Sequence, residues 1–286
     1  MMIKISTRKK LKQVSAVLKA FFVILVLVIL YLPILYIIIQ SVNADGTGNT
    51  FGGITFRWYS ELFGDPELMD AIVNTLSIAF ISTAASTILG TIFAIGINSL
   101  NRKRKQRLIF LNNVPIINAD IVTGVFLMLV FLTFGKLIGI NYPLGYITML
   151  IAHIFFSIPY VILSVLPKLN EMDPNLYDAA LDLGSKPSEA VMKIIVPTIR
   201  PGIITGMLIA FTMSIDDFII SYFTTGGGVA NFSIWLYTNR KATRFHALPK
   251  AYAYNTVIMV LTLAILIIYN IIQRRKVVKN WKNSKK

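Results

Sequence analysis

Two adjacent aspartates, Asp216 and Asp217, stand near the end of a long hydrophobic stretch. A carboxylate inside a membrane helix costs about 2.5–3.5 kcal/mol on insertion scales, so such a pair indicates a function or a buried partner. At helical spacing, Asp217 belongs to a stripe that suits a bundle interior or a water-filled path. The stripe consists of small and polar residues: Gly206, Ala210, Ser214, Asp217 and Ser221.

Aromatic residues follow the two aspartates closely, at Phe218, Tyr222 and Phe223. A carboxylate beside aromatic rings offers an organic cation both charge pairing and cation–π attraction. We therefore predict a pathway for a cationic solute, with these lining residues: Asp217, Asp216, Ser214 and Tyr222. The alternative is a structural carboxylate, bonded to a neighbouring helix or to a partner subunit.

Two further ionisable residues lie in hydrophobic stretches. Asp120 could line the same path, or it could pair with a Ser or Thr of the second membrane helix. His153 stands among Ile and Phe, which predicts an interior histidine with satisfied hydrogen bonds rather than a ligand. The chain has no cysteine and only one other histidine, His246, so we predict no metal site. No catalytic set of residues is evident either.

The composition is that of an integral membrane protein. Charged residues make up 14% of the chain, against about 25% in soluble domains, and the mean hydropathy is +0.68. The net charge of +15 could indicate nucleic acid as a partner. The positions of the basic residues favour a topology signal instead, and we predict no nucleic-acid binding.

Hydrophobic runs long enough to cross a bilayer recur along the chain. The six predicted spans are 21–40, 71–100, 111–134, 143–166, 201–222 and 253–272, within a permease domain of residues 20–272. The first run is too long for a signal peptide and lacks a small-residue cleavage site, so we expect an uncleaved helix. Basic tails occupy residues 1–19 and 273–286.

The lysines and arginines predict the orientation of these spans. With both termini inside, only six of the 28 basic residues lie outside the cytoplasm: Arg57, Lys136, Arg240, Lys241, Arg244 and Lys250. This asymmetry satisfies the positive-inside rule. We therefore expect a multi-pass protein of the bacterial inner membrane, with the N-terminus, the C-terminus and the loop 168–200 in the cytoplasm.

Small residues predict where helices approach one another. Ser82, Ser86, Gly90 and Ala94 recur every four positions, which favours a close helix contact. Gly202 and Gly206 repeat this spacing and indicate local packing rather than a dimer seam.

The loop 168–200 contains a second candidate site. Residues 177–201 read YDAALDLGSKPSEAVMKIIVPTIRP, which predicts two short helices. Gly184 suits the C-terminus of the first helix, and Pro187 suits the first turn of the second, with Ser185 or Ser188 as its cap. Pro197 is predicted to break the chain before the next span.

This loop also carries a family resemblance. Type I ABC importer permeases have a cytoplasmic signature of EAA, three residues, Gly, nine residues and I-x-L-P. The chain is similar: Asp178, Ala179, Ala180, Gly184, Ile194 and Pro197 take these positions, with Asp178 for Glu and Val196 for Leu. With MSIDDFIISYFTTG further on, the chain resembles the PotC-like permeases of spermidine/putrescine importers.

The resemblance implies an all-α, six-helix fold of the type I (MetI-like) class and a coupling surface at the signature residues. It implies a PotB-like second permease, two PotA-like ATPase subunits and an extracytoplasmic PotD-like polyamine-binding protein. The chain has no GxxxxGK[ST] phosphate loop, so we expect it to bind no cofactor and ATP to be bound by the partner ATPase. We expect a permease subunit rather than an enzyme.

Two alternatives remain open from the sequence. A permease of the same class could carry another small solute, such as iron, sulfate or phosphate. An importer of anions is expected to place Lys or Arg deep in its spans, and no predicted span has one, which favours a cationic cargo. A secondary cation transporter or channel with Asp217 as a relay is the other alternative, and it leaves the cytoplasmic signature unexplained.

Overall fold

The computed structural model describes residues 2–47, 50–173, 175–241 and 247–283, and this described part is helical apart from its connecting loops. The helices are α1 (Met2–Ser41), α2 (Arg57–Phe63), α3 (Pro66–Asn98), α4 (Arg102–Ile117), α5 (Asp120–Leu137), α6 (Tyr146–Glu171), α7 (Asn175–Asp182), α8 (Pro187–Ala190), α9 (Val196–Asp216), α10 (Ile219–Thr224), α11 (Phe232–Lys241) and α12 (Ala247–Asn283).

Five helical segments of the described residues are long and apolar enough to cross a membrane: Ser15–Ser41, Pro66–Asn98, Asp120–Leu137, Tyr146–Glu171 and Pro187–Asp216. Each contains part of one of the first five predicted spans. The sixth predicted span, 253–272, lies within α12, where several side chains fall outside the described residues. The predicted basic tails continue the helices α1 and α12, and most of their side chains also fall outside the described residues.

The third predicted span, 111–134, is wrong in its bounds, because two helices share it. Asn118 and Ala119 have extended backbones, with ψ of 148° and 138°, and they separate α4 from α5. Pro115 lies in the last turns of α4, and Asp120 begins α5 instead of lying inside a span. A carboxylate in the first turn interacts favourably with the positive end of the helix dipole.

The predicted break at Pro197 is also wrong. The helical segment Pro187–Asp216 is continuous through Pro197 and Pro201. A π-helical turn, Val191–Ile195, precedes α9, and the N–H of Val196 donates to the carbonyl of Val191. Such a turn already departs from the α-helical hydrogen-bond pattern, so a proline directly after it removes no regular bond.

The chain forms two compact units, and the first contains residues Met1–Asp65 and Asn239–Lys286. In this unit α1 and α12 pack together, and the rings of Tyr36 and Tyr252 meet edge to face at 6.3 Å. The short helix α2 also belongs to this unit. Its Trp58 is buried and donates from Nε1 to the carbonyl of Asn43 over 2.7 Å.

The second unit, Pro66–Thr238, is built on three helices in mutual contact, α3, α6 and α9. The predicted stripe on α3 is confirmed, because Ser82, Ser86, Gly90 and Ala94 are all buried. A Cβ added to Gly90 would lie 2.7 Å from the Cβ of Val161 in α6. Small residues therefore set the closest approach of these helices.

The two glycines of α9 pack on the same helix, as predicted. A Cβ on Gly202 would lie 2.7 Å from the carbonyl oxygen of Ser164, and a Cβ on Gly206 would lie 3.0 Å from the Cα of Val161. Helix α6 thus has a glycine contact on either side, with α3 and with α9. This arrangement fixes the position of the α9 C-terminus, where the paired aspartates lie.

Candidate functional site: a broken membrane helix and an exposed coupling segment

The paired aspartates lie at a break between two helices. Helix α9 ends at Asp216, Asp217 has an extended backbone with ψ of 129°, and α10 begins at Ile219. The prediction of one continuous stripe through Asp217 and Ser221 is therefore wrong. The extended backbone of Asp217 changes the direction of every side chain beyond Asp216.

Asp217 caps the second of the two helices. Its carboxylate accepts hydrogen bonds from the backbone N–H of Ser221 at 2.8 Å, from the Ser221 hydroxyl at 2.9 Å and from the N–H of Ile220 at 3.3 Å. An aspartate in this position satisfies N–H groups that have no partner within the helix. The cost of placing this carboxylate in a membrane helix is thereby reduced.

His153 of α6 joins the two sides of the break. Its Nδ1 lies 2.8 Å from the Ser214 hydroxyl in α9, and its Nε2 lies 2.9 Å from the Ser221 hydroxyl in α10. The imidazole is buried, with 3% of its surface exposed. The prediction of an interior histidine with satisfied hydrogen bonds is confirmed.

The hydrogen-bond directions around His153 follow from the donors available. Ser221 donates its one proton to Asp217, and its oxygen accepts from Asn231 Nδ2 at 2.9 Å, so His153 Nε2 must donate to it. Nδ1 of a neutral ring then accepts from Ser214. The Ser214 hydroxyl also lies 3.0 Å from the hydroxyl of Ser82 in α3, within hydrogen-bond distance. One chain of hydrogen bonds therefore leads from α3 through α6 to Asp217.

Asn231 completes the enclosure of the break, and sequence reasoning missed it. Its Nδ2 also donates to the backbone carbonyl of Asp217 at 3.0 Å, and its Oδ1 accepts from the N–H of Ile234. An asparagine before a helical run is a recognisable helix-start signal. Its contact with Asp217, fourteen residues earlier, has no signal in the sequence.

An aromatic cluster, defined by Phe218, Tyr222 and Tyr237, lies directly after the aspartates. The ring centroids are 5.5 Å apart for Phe218 and Tyr222, 5.0 Å for Phe218 and Tyr237, and 5.8 Å for the two tyrosines. Tyr222 remains 45% exposed. Phe223 also meets the ring of Tyr222, at 5.7 Å. Tyr237 belongs to α11 and was not predicted.

The other predicted pathway residues differ in exposure. Asp216 is exposed. The side chain of Asp217 is only 9% exposed, and Ser214 is buried. Asp120 is exposed at the start of α5, and that helix packs on α10 through Gly124, one turn further along. The break thus presents Asp216 outward and keeps Asp217 in the polar network.

Residues 175–200 contain the signature positions and are called the coupling segment after their predicted role. They form α7, α8, the π-helical turn and the start of α9. Gly184 ends α7 with φ of +85°, its N–H donates to the carbonyl of Leu181, and the N–H of Ser185 donates to the carbonyl of Ala180. This double hydrogen bond and the left-handed residue are the features of a glycine helix end. The predicted C-terminal role of Gly184 is confirmed, as is Pro187 in the first turn of α8.

The predicted serine cap of α8 is wrong. Lys186 precedes the helix, and the carboxylate of Glu189 accepts a bond from the Lys186 N–H at 3.5 Å. The helix start is therefore satisfied by a side chain from its own first turn, as in a capping box.

The signature residues divide between the interior and the surface. Ala180 is buried, and Ile194 is half-buried. Asp178, Ala179, Gly184 and Pro197 are exposed. The apolar side chain of Leu183 is 87% exposed beside them. The described residues give this leucine no apolar cover, although it is large.

No group of His, Asp and Glu residues in the described ranges could hold a metal ion. His246 lies outside the described residues.

The apolar helices, one of them followed by a break with a polar network, are those of a polytopic membrane protein. Residues 86–278 match the family described as "Binding-protein-dependent transport system inner membrane component", and the chain belongs to this family. It is therefore a permease of an ABC importer, and the ATPase of such a system is a separate subunit.

Curated relatives agree with this assignment. The chain is 30% identical to the spermidine/putrescine transport system permease protein PotC of Haemophilus influenzae, over 89% of this chain and 95% of the relative. It is 34% identical to the putrescine transport system permease protein PotI of Escherichia coli, over 73% of this chain and 75% of the relative.

A solved structure agrees in fold. The bacterial alginate ABC transporter in complex with alginate pentasaccharide-bound periplasmic protein superposes with a TM-score of 0.69 at 18% identity. The superposition covers 93% of this chain and 96% of the other chain. The predicted all-α ABC importer permease fold is confirmed.

Proposed function

We propose that this permease subunit imports a polyamine, spermidine or putrescine, in an ATP-driven complex. The observation that carries the proposal is the match to permeases named for these two solutes, over most of the chain. The exposed Asp216 beside the aromatic cluster supports it. A carboxylate and several π faces at a break in a membrane helix suit a flexible organic cation.

The polyamine path in this proposal runs past the break between α9 and α10. Asp216 meets the amine groups directly, and Tyr222 offers its exposed ring. Asp217 and Ser214 do not meet the polyamine directly in this proposal. Their hydrogen bonds hold the backbone of the break in its observed conformation. Asp120 adds a third carboxylate at the start of α5, the helix that packs on α10.

The rest of the complex is proposed from the family. A PotB-like second permease closes the path, two PotA-like ATPase subunits bind and hydrolyse ATP, and a PotD-like binding protein delivers the polyamine outside. The alginate transporter of similar fold, whose structure includes a periplasmic protein, supports docking of this kind.

The coupling segment is the proposed contact with the ATPase. Its exposed residues, Asp178, Ala179, Leu183 and Gly184, form the surface that enters the ATPase, while Ala180 anchors α7 to the permease. Ile194 and Pro197 connect this surface to α9 through the π-helical turn. Motion of the coupling segment therefore passes to the helix that ends at Asp216. In this proposal the segment and both termini lie in the cytoplasm.

The test is transport by the reconstituted complex. The four kinds of subunit, taken from the same genome, are placed in proteoliposomes, and uptake of radiolabelled putrescine, spermidine and sulfate is measured with and without ATP. We expect uptake of a polyamine that requires ATP and the binding protein. ATP-dependent uptake of sulfate alone, or polyamine uptake driven by an ion gradient without the ATPase, would contradict the proposal.

A further inference from the structure

One face of helix α4 is positively charged in its N-terminal half and apolar in its C-terminal half. Lys103, Arg107, Leu111 and Pro115 follow one another at intervals of four residues, so they share a face of the helix. At a rise of 1.5 Å per residue, Lys103 and Pro115 are about 18 Å apart along the axis. No residue of α4 is buried, although its second half is apolar apart from Asn112 and Asn113.

The basic end of this face lies in a surface depression of about 500 Å³, lined by Lys103, Gln106, Arg107, Phe110 and Leu111. Neither Lys103 nor Arg107 forms an ion pair within the described part of the chain. Lys105 differs, because its Nζ is held at 2.7 Å by the amide oxygens of both Asn98 and Asn170. Two cations therefore converge on one depression without an anion.

A second depression, of about 400 Å³, adjoins the first at Leu111. Its walls are mainly apolar, from α4, α5 and α6: Leu111, Val114, Pro115, Val122, Phe126 and Phe155. The side chains of Phe126 and Phe155 are 57% and 42% exposed, so this second depression, here called the apolar trough, is open to its surroundings. Together the two depressions form a groove that is cationic at one end and apolar along the rest.

We propose that this groove binds one anionic phospholipid of the surrounding membrane. The phosphate lies between Lys103 and Arg107, with the amide of Gln106 as a further donor, and an acyl chain runs past Leu111 along the apolar trough. Charge complementarity selects a negative headgroup, and the length of this face matches a headgroup followed by part of a chain. Basic pockets beside membrane helices recognise anionic lipids in this way.

This inference is independent of the cargo. It needs only the membrane location of the chain, which its family and its apolar helices establish. A free phosphate shares the headgroup chemistry, but it leaves the apolar trough empty. A neighbouring subunit could cover the trough, but it would have to bring an anion to the basic end.

The test uses the purified complex with its partner subunits, titrated with phosphatidylglycerol, phosphatidylcholine or inorganic phosphate and followed by native mass spectrometry. The double variant Lys103→Gln/Arg107→Gln removes the two charges of the groove. The double variant Arg102→Gln/Arg104→Gln is the matched control, because it removes the same charge from the same helix without touching the groove.

We expect the groove variant to bind phosphatidylglycerol about 30-fold more weakly, which corresponds to about 1 kcal/mol for each basic residue. The control variant should retain most of the affinity. Leu111→Trp, which fills the junction of the two depressions, should also weaken phosphatidylglycerol while the complex stays assembled.

Four results would overturn the proposal. Equal losses in the groove variant and the control would show a diffuse basic surface. Equal binding of phosphatidylcholine would show that the charge of the headgroup is not recognised, and equal binding of phosphate would show that the acyl chain is not recognised. Dissociation of the second permease from the Leu111→Trp complex would show that the trough is a subunit interface.

Discussion

The Nε2 atom of His153 lies 3.6 Å from the Oδ2 atom of Asp217, and both atoms contact the same hydroxyl, that of Ser221. The histidine belongs to α6 and the aspartate to the break between α9 and α10. A helix break inside a membrane exposes backbone groups that water cannot satisfy. The side chains of Asp217 and Asn231 satisfy such backbone groups here, and His153 binds the hydroxyls of Ser214 and Ser221 on the two sides of the break. These hydrogen bonds stabilise the break.

The variant His153→Ala should destabilise the unit around the break. It leaves the hydroxyls of Ser214 and Ser221 each short of one partner, at a cost of about 1–3 kcal/mol per unsatisfied buried group. Thermal unfolding of the purified complex in detergent measures the effect. The double variant His153→Ala/Ser214→Ala should lose less than the sum of the single variants, because the two residues share one bond. Strict additivity would contradict the network.

The two aspartates should respond differently to substitution. Asp216→Asn should reduce polyamine uptake on the order of tenfold, the loss expected for a hydrogen bond to a charged group, without changing thermal stability. Asp217→Ala should lower both uptake and stability, because it removes the cap of α10.

The matched control for the cap is Asp217→Asn, since asparagine also caps helices but carries no charge. This variant should retain most of the stability, and its uptake should fall more than its assembly if the charge of Asp217 contributes to the path. Normal uptake by both asparagine variants would assign the two carboxylates a structural role only.

Gly184 should be required for coupling because of its backbone, not because of crowding. Its φ is +85°, yet nothing lies within 4 Å of an added Cβ. Gly184→Val should therefore distort the end of α7, at about 1–2 kcal/mol, and reduce ATP-driven uptake. Gly184→Asn should be milder, because asparagine tolerates the left-handed conformation.

The control for this prediction is Gly139→Val, since Gly139 has φ of +79° and equal space around it, in a loop away from the coupling segment. Equal losses for the two valine variants would contradict the coupling role.

Gly202 and Gly96 offer a second matched pair, both inside helices. Gly202→Ala should destabilise the permease by about 1–3 kcal/mol, because the new Cβ would meet the backbone of α6. Gly96→Ala should be neutral or stabilising by up to about 1 kcal/mol, because the space around Gly96 is open and alanine favours helices. Thermal unfolding in detergent compares the two, and a stable Gly202→Ala protein would show that α6 and α9 separate easily.

The loop around Asp45 should lose its order in acid. Hydrogen bonds from Thr50 and Thr47 lower the pKa of Asp45 from 3.8 to about 2. The folded pKa lies below the unfolded pKa, so the stabilisation is complete above a pH of about 4 and is lost as the pH falls through about 2. Hydrogen exchange at the Thr47 and Thr50 amides, bonded to Asp45 at 3.1 and 3.0 Å, measures this order. Asp45→Ala should abolish the pH step, and a step that persists would have another cause.

Local patterns in the sequence predicted the membrane helices and the coupling segment. Uninterrupted apolar runs mark helices that must satisfy their own backbone in lipid, and the small residues of α3 and α9 mark close packing. Gly184 ends a helix for a reason that is local to its own backbone, so the sequence alone placed it correctly. The spacing of the signature residues from Asp178 to Pro197 predicted the family.

The sequence misplaced the features that depend on contacts between distant residues. The hydrophobic runs 111–134 and 201–222 gave no sign of their breaks, because the bonds that stabilise the second break come from His153 and Asn231. These lie 61 residues before Ser214 and 14 residues after Asp217. Sequence reasoning also missed Tyr237 in the aromatic cluster, because this residue lies on α11, a different helix from Tyr222.

The sequence by itself determined that this chain spans a membrane, which family it belongs to and where Gly184 ends a helix, since each depends on composition or on spacing along the chain. Only the tertiary structure decided which aspartate faces outward and which one caps a helix. Asp216 and Asp217 are identical residues at adjacent positions, so the sequence gives no reason to assign them different roles. The polar groups that α3, α6 and the start of α11 bring to the break distinguish the two aspartates.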